Sequence, residues 1–231
     1  MKERIWIIAR MIIVAAVFGS VVSGIYLGSR ETLERNRIIR LQRAYAEVFG
    51  YENVDEMTDA EITELVDSRV QPEAKIIIDP ESAKEFSLIK AYETGDLLDL
   101  KGVGFRFRGL GFWAPIEGIL ALTPDLQKTL DIVILEQQET PGLGGRIEEK
   151  IFTAPFEAGL DVSKPEKAGK WLEISASAPS SGSPMQGRHV DAITGATQTS
   201  MAMERILNEH LGQFYRAMKK ANTEMGNQPL P

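Results

Sequence analysis

The chain has 231 residues, a net charge of -7, 43% hydrophobic and 26% charged residues; that is ordinary globular composition with room for a real core, and its acidic balance argues against a nucleic-acid binder. It holds no cysteine and only two histidines, His189 and His210, which removes disulfides, thiolate nucleophiles, cysteine-held iron–sulfur clusters and c-type haem, and argues against a histidine-rich metal site. Side chains of this kind do little difficult chemistry alone, which directs attention to a bound cofactor.

From Met11 to Gly28 no residue is charged, and Arg10 stands just before the run. An apolar stretch of ~20 residues crosses a bilayer, with a flanking arginine able to snorkel, so a transmembrane helix is expected. The run exceeds the ~7–15-residue apolar region of a cleaved signal peptide. Ser20, Gly24 and Gly28 repeat at four-residue spacing, a pattern of small residues that lets helices approach closely in lipid. Lys2, Arg4 and Arg10 precede the span, and Arg30, Arg35, Arg37, Arg40 and Arg43 follow it, so the positive-inside rule alone does not settle orientation. Without a cysteine after the span, a lipoprotein anchor is excluded.

Beyond the anchor, Ile38, Leu41, Tyr45, Val48 and Phe49 keep helical spacing, and Gly50 supplies a stop. Thr58-Asp59-Ala60-Glu61 has the form of a capping box opening a short helix. KIIIDP, 75–80, reads as a short strand closed by Pro80. Strand-like runs follow at 86–92, 103–108, 113–122 and 130–138, with Thr123-Pro124-Asp125 suited to a tight turn. Glycines 102, 104, 109, 111 and 118 suggest bulges or close backbone approach. A further strand is expected within 171–177 and a polar loop at 179–187. Met203, Ile206, Leu207, His210, Leu211 and Phe214 share one helical face, where His210 reads as a packed structural residue. The fold class is therefore α+β. A transmembrane helix within 1–29 and a mostly helical connection at 30–85 precede a mixed or antiparallel sheet domain with flanking helices at 86–220. A frayed tail at 221–231 closes the chain.

Two stretches carry chemistry. In Glu139-Thr140-Pro141-Gly142-Leu143-Gly144-Gly145, Pro141 fixes φ and Gly142 can take the positive φ of a type II turn. Three glycines leave the backbone bare around Leu143, where a flat aromatic ligand could lie. In DAITGATQTS, 191–200, Gly195 permits close approach, and the hydroxyls of Thr194, Thr197, Thr199 and Ser200 crowd the start of a helix. A helix start attracts phosphate through its unpaired N–H groups and dipole; one hydroxyl suffices for a simple N-cap, so the surplus favours an anion near Thr197.

Asp191-x-x-Thr194-Gly195-Ala196-Thr197 resembles the flavinylation motif of the FMN-binding domain family, and the loop at 139–145 matches that family's second signature. The resemblance covers roughly residues 90–215. It implies covalent FMN, joined through its phosphate to Thr197 by a separate flavin transferase that recognises Asp191. It further implies FMN contacts from Glu139, Thr140, Gly142, Leu143, Gly144, Thr194, Gly195 and Ala196; the local hydroxyl chemistry, apart from the resemblance, puts Thr199 and Ser200 on the phosphate. No residue is assigned to catalysis or to a metal.

The layout of one N-terminal span and both motifs in this order is similar to two related electron-transport proteins. These are the C subunit of the sodium-translocating NADH:quinone oxidoreductase (Nqr) and the G subunit of the Rnf ferredoxin:NAD oxidoreductase. The resemblance implies an electron carrier that is not an enzyme by itself, working among the membrane and redox subunits of an ion-translocating complex. It places the flavin domain on the periplasmic side of the inner membrane. Two other readings stand beside it: a stand-alone membrane-anchored flavoprotein or sensor, and a scaffold subunit left unmodified.

Overall fold

The computed structural model describes residues 2–165 and 169–224. They form two units, one made of residues up to Leu41 and one beginning at Gln42. The first is the greater part of helix α1 (Lys2–Val48). Its apolar window has a mean hydropathy of 2.1 with none of it buried, and it is long and apolar enough to cross a membrane.

The second unit is an α+β domain around one antiparallel sheet. β1 (Val70–Ile78), β2 (Glu85–Tyr92), β3 (Leu100–Leu110), β4 (Pro115–Leu122) and β5 (Thr129–Glu136) pair in chain order as a meander. The alternation of side chains along β3 explains the layering. Val103, Phe105 and Phe107 are fully buried on the face that receives α4 (Thr197–Glu224), where Phe105 stacks on Phe214 with centroids 4.4 Å apart. Gly102, Gly104 and Arg106 point the other way, to the last turns of α1. A Cβ on Gly104 would lie 3.1 Å from Phe49 Cζ, and Arg106 Nη2 donates to Tyr45 Oη at 2.8 Å. The glycines of β3 thus make room for an aromatic plug. Gly109 does the same for Ile206 of α4, whose Cγ1 would stand 2.5 Å from an added Cβ.

The expected capping box opens α2 (Asp59–Arg69), with Thr58 N donating to Glu61 Oε2 at 2.7 Å. The turn after β4 closes through Leu126 N to Thr123 O at 2.9 Å. Two features lengthen what the sequence suggested. The strand read at 75–80 begins at Val70 and joins the sheet as an edge, so the sheet takes in residues from the stretch read as a connection. Its register shifts between Gln71 and Lys75, around Pro72, which an edge strand tolerates at a bulge. A 3-10 turn (Gly144–Glu148) and α3 (Lys150–Glu157) follow the 139–145 loop. The strand expected within 171–177 is the short β6 (Glu173–Ser175), parallel to β7 (His189–Asp191). Residues 221–224 continue α4; the remainder of the tail lies outside the described residues.

Two polar ties fasten α4 to the sheet. Asp79, fully buried at the end of β1, accepts from Arg216 Nε and Nη2 at 2.8 Å each, and Ser82 Oγ donates to it at 2.5 Å. The guanidinium beside Asp79 holds its carboxyl well below the usual carboxylate range. His210 is also buried; its Nδ1 donates to Ile206 O at 2.8 Å, and Nε2 faces Lys84 Nζ at 2.6 Å and Arg108 N at 3.3 Å. Burial and the neighbouring Lys84 lower its pKa, and its burial fits the packed structural role read from the helical stripe.

Candidate functional site

The 139–145 loop makes the turn its sequence dictates. Gly142 has φ +73°, and Leu143 N donates to Thr140 O at 3.1 Å, closing a type II turn with Pro141 at its second position. Gly145 N shares the same acceptor at 3.0 Å. Leu143 is left standing outward, 43% exposed.

The 191–200 stretch forms a matching turn. Gly195 has φ +80°, Ala196 N donates to Ile193 O at 2.9 Å, and α4 begins at Thr197. Asp191, Thr194, Gly195 and Thr197 are exposed, whereas Ala196, Thr199 and Ser200 are buried.

These two turns meet. A Cβ on Gly195 would lie 3.1 Å from Leu143 Cδ2. Thr199 Oγ1 donates to Glu139 Oε2 at 2.7 Å in a buried contact, and a Cβ on Gly144 would stand 2.5 Å from that same Thr199 oxygen. Gly144 is therefore glycine because a bond between the two motifs passes beside it. The structure gives Thr199 and Ser200 partners inside the protein: the first bonds Glu139, and Ser200 Oγ accepts from Ile193 N at 3.1 Å, bracing the turn. From the sequence alone their hydroxyls read as phosphate donors. Which hydroxyls face inward depends on the packing of α4 against a loop about fifty residues away.

A third segment completes the site and escaped the sequence reading. Gly111 N donates to Ala114 O at 2.9 Å, making a tight turn between β3 and β4 with Phe112 and Trp113 at its tip. Both are exposed, at 51% and 65%, and their rings lie edge to face with centroids 4.8 Å apart. Glu139 Oε1 accepts from Phe112 N at 2.9 Å and Trp113 N at 3.0 Å, and Trp113 Nε1 donates to Thr140 Oγ1 at 3.2 Å. The available signal was an aromatic pair between a glycine and a proline, a poor place to spend two apolar side chains in a plain strand. Met201, one turn along α4 from Thr197, is 59% exposed.

This arrangement fits FMN. Thr197 presents a hydroxyl at the first turn of a long helix, where main-chain N–H groups and the dipole favour phosphate. Leu143, Phe112, Trp113 and Met201 offer apolar surface suited to a flat aromatic ring. Among the described residues no group of three or more potential metal ligands occurs.

Residues 111–212 match the model of the FMN-binding domain. The chain is 26% identical to the C subunit of the Na(+)-translocating NADH-quinone reductase of Pseudomonas aeruginosa, over 87% of this chain and 89% of that one. It is 27% identical to the protein of that name from Chlamydia muridarum, over 70% of this chain and 54% of the relative. With the Pasteurella multocida protein the identity is 32%, over 46% of this chain and 39% of the relative. The chain thus spans about half or less of the length of these last two. The crystal structure of Shewanella oneidensis NqrC superposes with a TM-score of 0.65 at 19% identity, covering 83% of this chain and 99% of that one. The crystal structure of the corresponding reductase subunit from Parabacteroides distasonis gives a TM-score of 0.58 at 19% identity, over 81% and 95%. These two likenesses establish the α+β fold. The chain is thus similar over residues 111–212 to the FMN-binding domain, and over most of its length to the C subunit of the Na(+)-translocating NADH-quinone reductase.

Proposed function

We propose that Thr197 Oγ1 carries FMN through a phosphoester bond and that the chain works as an electron-carrier subunit of an ion-translocating oxidoreductase. The observation that carries this reading is the convergence at Gly195 and Leu143. Two motifs distant in sequence come into contact and leave Thr197 exposed at their junction.

In this reading, exposed Asp191 and the turn after it present Thr197 to a flavin transferase. The phosphate rests on the first-turn N–H groups of α4 and the Thr194 hydroxyl, and Thr199 and Ser200 act from behind by fixing that turn. Thr140, Gly142 and Leu143 line one side of the ring, with Trp113 held beside Thr140, whereas Gly144, expected to join them, is buried against the Thr199–Glu139 bond. Bound FMN supplies the redox chemistry, taking up and returning electrons. A tethered flavin cannot diffuse, so it suits a relay between fixed centres in neighbouring subunits. The apolar run of α1 anchors the chain in the inner membrane with the flavin domain on the outer, periplasmic side. The partners are the membrane and redox subunits of an Nqr-type complex, with Rnf as the related alternative.

Affinity purification of the full-length chain from solubilised host membranes tests the assignment. Co-purification of multi-span membrane subunits at stable stoichiometry is expected. Recovery of the flavin-bearing chain alone from a gentle detergent would contradict the complex and leave a stand-alone membrane flavoprotein.

A further inference from the structure

Glu139 is 4% exposed, yet among the described residues its partners are two main-chain N–H groups and one hydroxyl, none of them cationic. Buried carboxylates are ordinarily paired with a cation or coordinated to a metal. Here two glycines press the carboxylate into place: a Cβ on Gly111 would stand 2.5 Å from Oε1, and one on Gly144 would stand 3.0 Å from Oε2. The same two oxygens tie together the Phe112–Trp113 turn, the 139–145 loop and the first turn of α4, which are the three segments that build the flavin seat. A hydrophobic residue could not make these bonds, and a paired acid would lose its net charge. No cationic side chain among the described residues pairs with this carboxylate, which lies one hydrogen bond from Thr199, two residues beyond Thr197.

We propose that Glu139 is a positioning residue whose buried carboxylate holds the midpoint potential of the bound flavin low. The inference rests on the reading that FMN is carried at Thr197. Reduction adds negative charge to the flavin, and a nearby carboxylate screened by protein rather than water opposes that addition. Glutamine has the same shape. Its oxygen accepts from the Phe112 and Trp113 N–H groups and its amide donates to Thr199 Oγ1, so Glu139→Gln removes the charge while keeping the three ties.

The test uses the full-length chain in detergent, produced with a flavin transferase, as wild type, Glu139→Gln and Thr199→Val. Denatured mass, thermal unfolding and spectroelectrochemical midpoint potential are recorded for each. Glu139→Gln is expected to carry flavin, melt close to wild type and titrate at a more positive potential. Thr199→Val keeps the carboxylate and removes one of its donors, and is expected to move the potential in the negative direction. It carries the test alone if Glu139→Gln does not fold. Unchanged potentials in flavin-bearing variants would overturn the proposal. So would a Glu139→Gln protein that melts like wild type but takes no flavin, since Glu139 would then serve attachment itself. A wild type without bound flavin would instead remove the reading on which the proposal rests.

Discussion

Thr199 Oγ1 donates to Glu139 Oε2 at 2.7 Å, a buried bond between side chains sixty residues apart. It joins the start of α4 to the 139–145 loop and makes one site from two motifs. Hydrogen bonds to charged groups contribute about 1.5–3 kcal/mol, and an abandoned buried acceptor costs a similar amount. Thr199→Val should therefore lower the stability of the domain by about 2 kcal/mol, read by denaturant unfolding with an unchanged m-value. A loss within ±0.5 kcal/mol of zero, the range of an ordinary surface change, would mean that the bond does not hold the site together.

Gly195 has φ +80°, where an L-residue costs roughly 1–2 kcal/mol, and a Cβ there would crowd Leu143 Cδ2 at 3.1 Å. Gly195→Ala should destabilise by about that amount and push Leu143 out of its place. The fraction of chain modified in cells with an active flavin transferase should fall. Full modification of a variant with wild-type melting behaviour would show that this turn does not need its left-handed residue.

The two signature turns were legible because their chemistry is local: Pro141-Gly142 specifies one turn, and the left-handed Gly195 lies in the other. The five strands of the sheet were largely legible too, since β3 to β5 announce themselves by alternation or β-forming side chains. What could not be read was tertiary. Pro72 disguised the first half of β1, because only a bulged edge strand tolerates it. Pro155 lies within α3, which hid that helix. The inward turn of Thr199 depends on Glu139, sixty residues away, and that of Ser200 on the fold of its own stretch back to Ile193 N. Phe112 and Trp113 are brought beside the two motifs because Glu139 accepts from their N–H groups.

Asp131 is 5% exposed on β5, and burial raises its pKa to about 6, against a backbone N–H from Ile132 that lowers it. Its protonated form is favoured in the folded state. Below about pH 4 the group is protonated in both states and costs nothing. As pH rises through that range the unfolded chain ionises first, and stability falls until about pH 6, by at most about 3 kcal/mol. Asp131→Asn should remove that decline and exceed wild-type stability at pH 7. Parallel pH profiles of thermal midpoint for the two proteins would contradict the assignment.

Asp79 has the opposite sign. Its carboxyl is held low by Arg216, so its contribution is full above its unfolded pKa and is lost as pH falls toward the folded value. Arg216→Met leaves a fully buried carboxylate without its guanidinium, a change that costs about 3–5 kcal/mol. Asp79→Asn should show a shallower decline in stability between pH 4 and pH 2 than wild type, measured by acid unfolding. Equal slopes would place the acid sensitivity of the domain elsewhere.

The proposed covalent attachment of FMN to Thr197 is tested most directly by intact mass, with in-gel fluorescence, on denatured full-length chain from cells containing a flavin transferase. Wild type and Thr197→Ala are compared. The account predicts a wild-type mass raised by one FMN less water, with fluorescence in the denatured band, and loss of both in the variant. An unmodified wild-type mass despite an active transferase, or a modification that persists in Thr197→Ala, would contradict it.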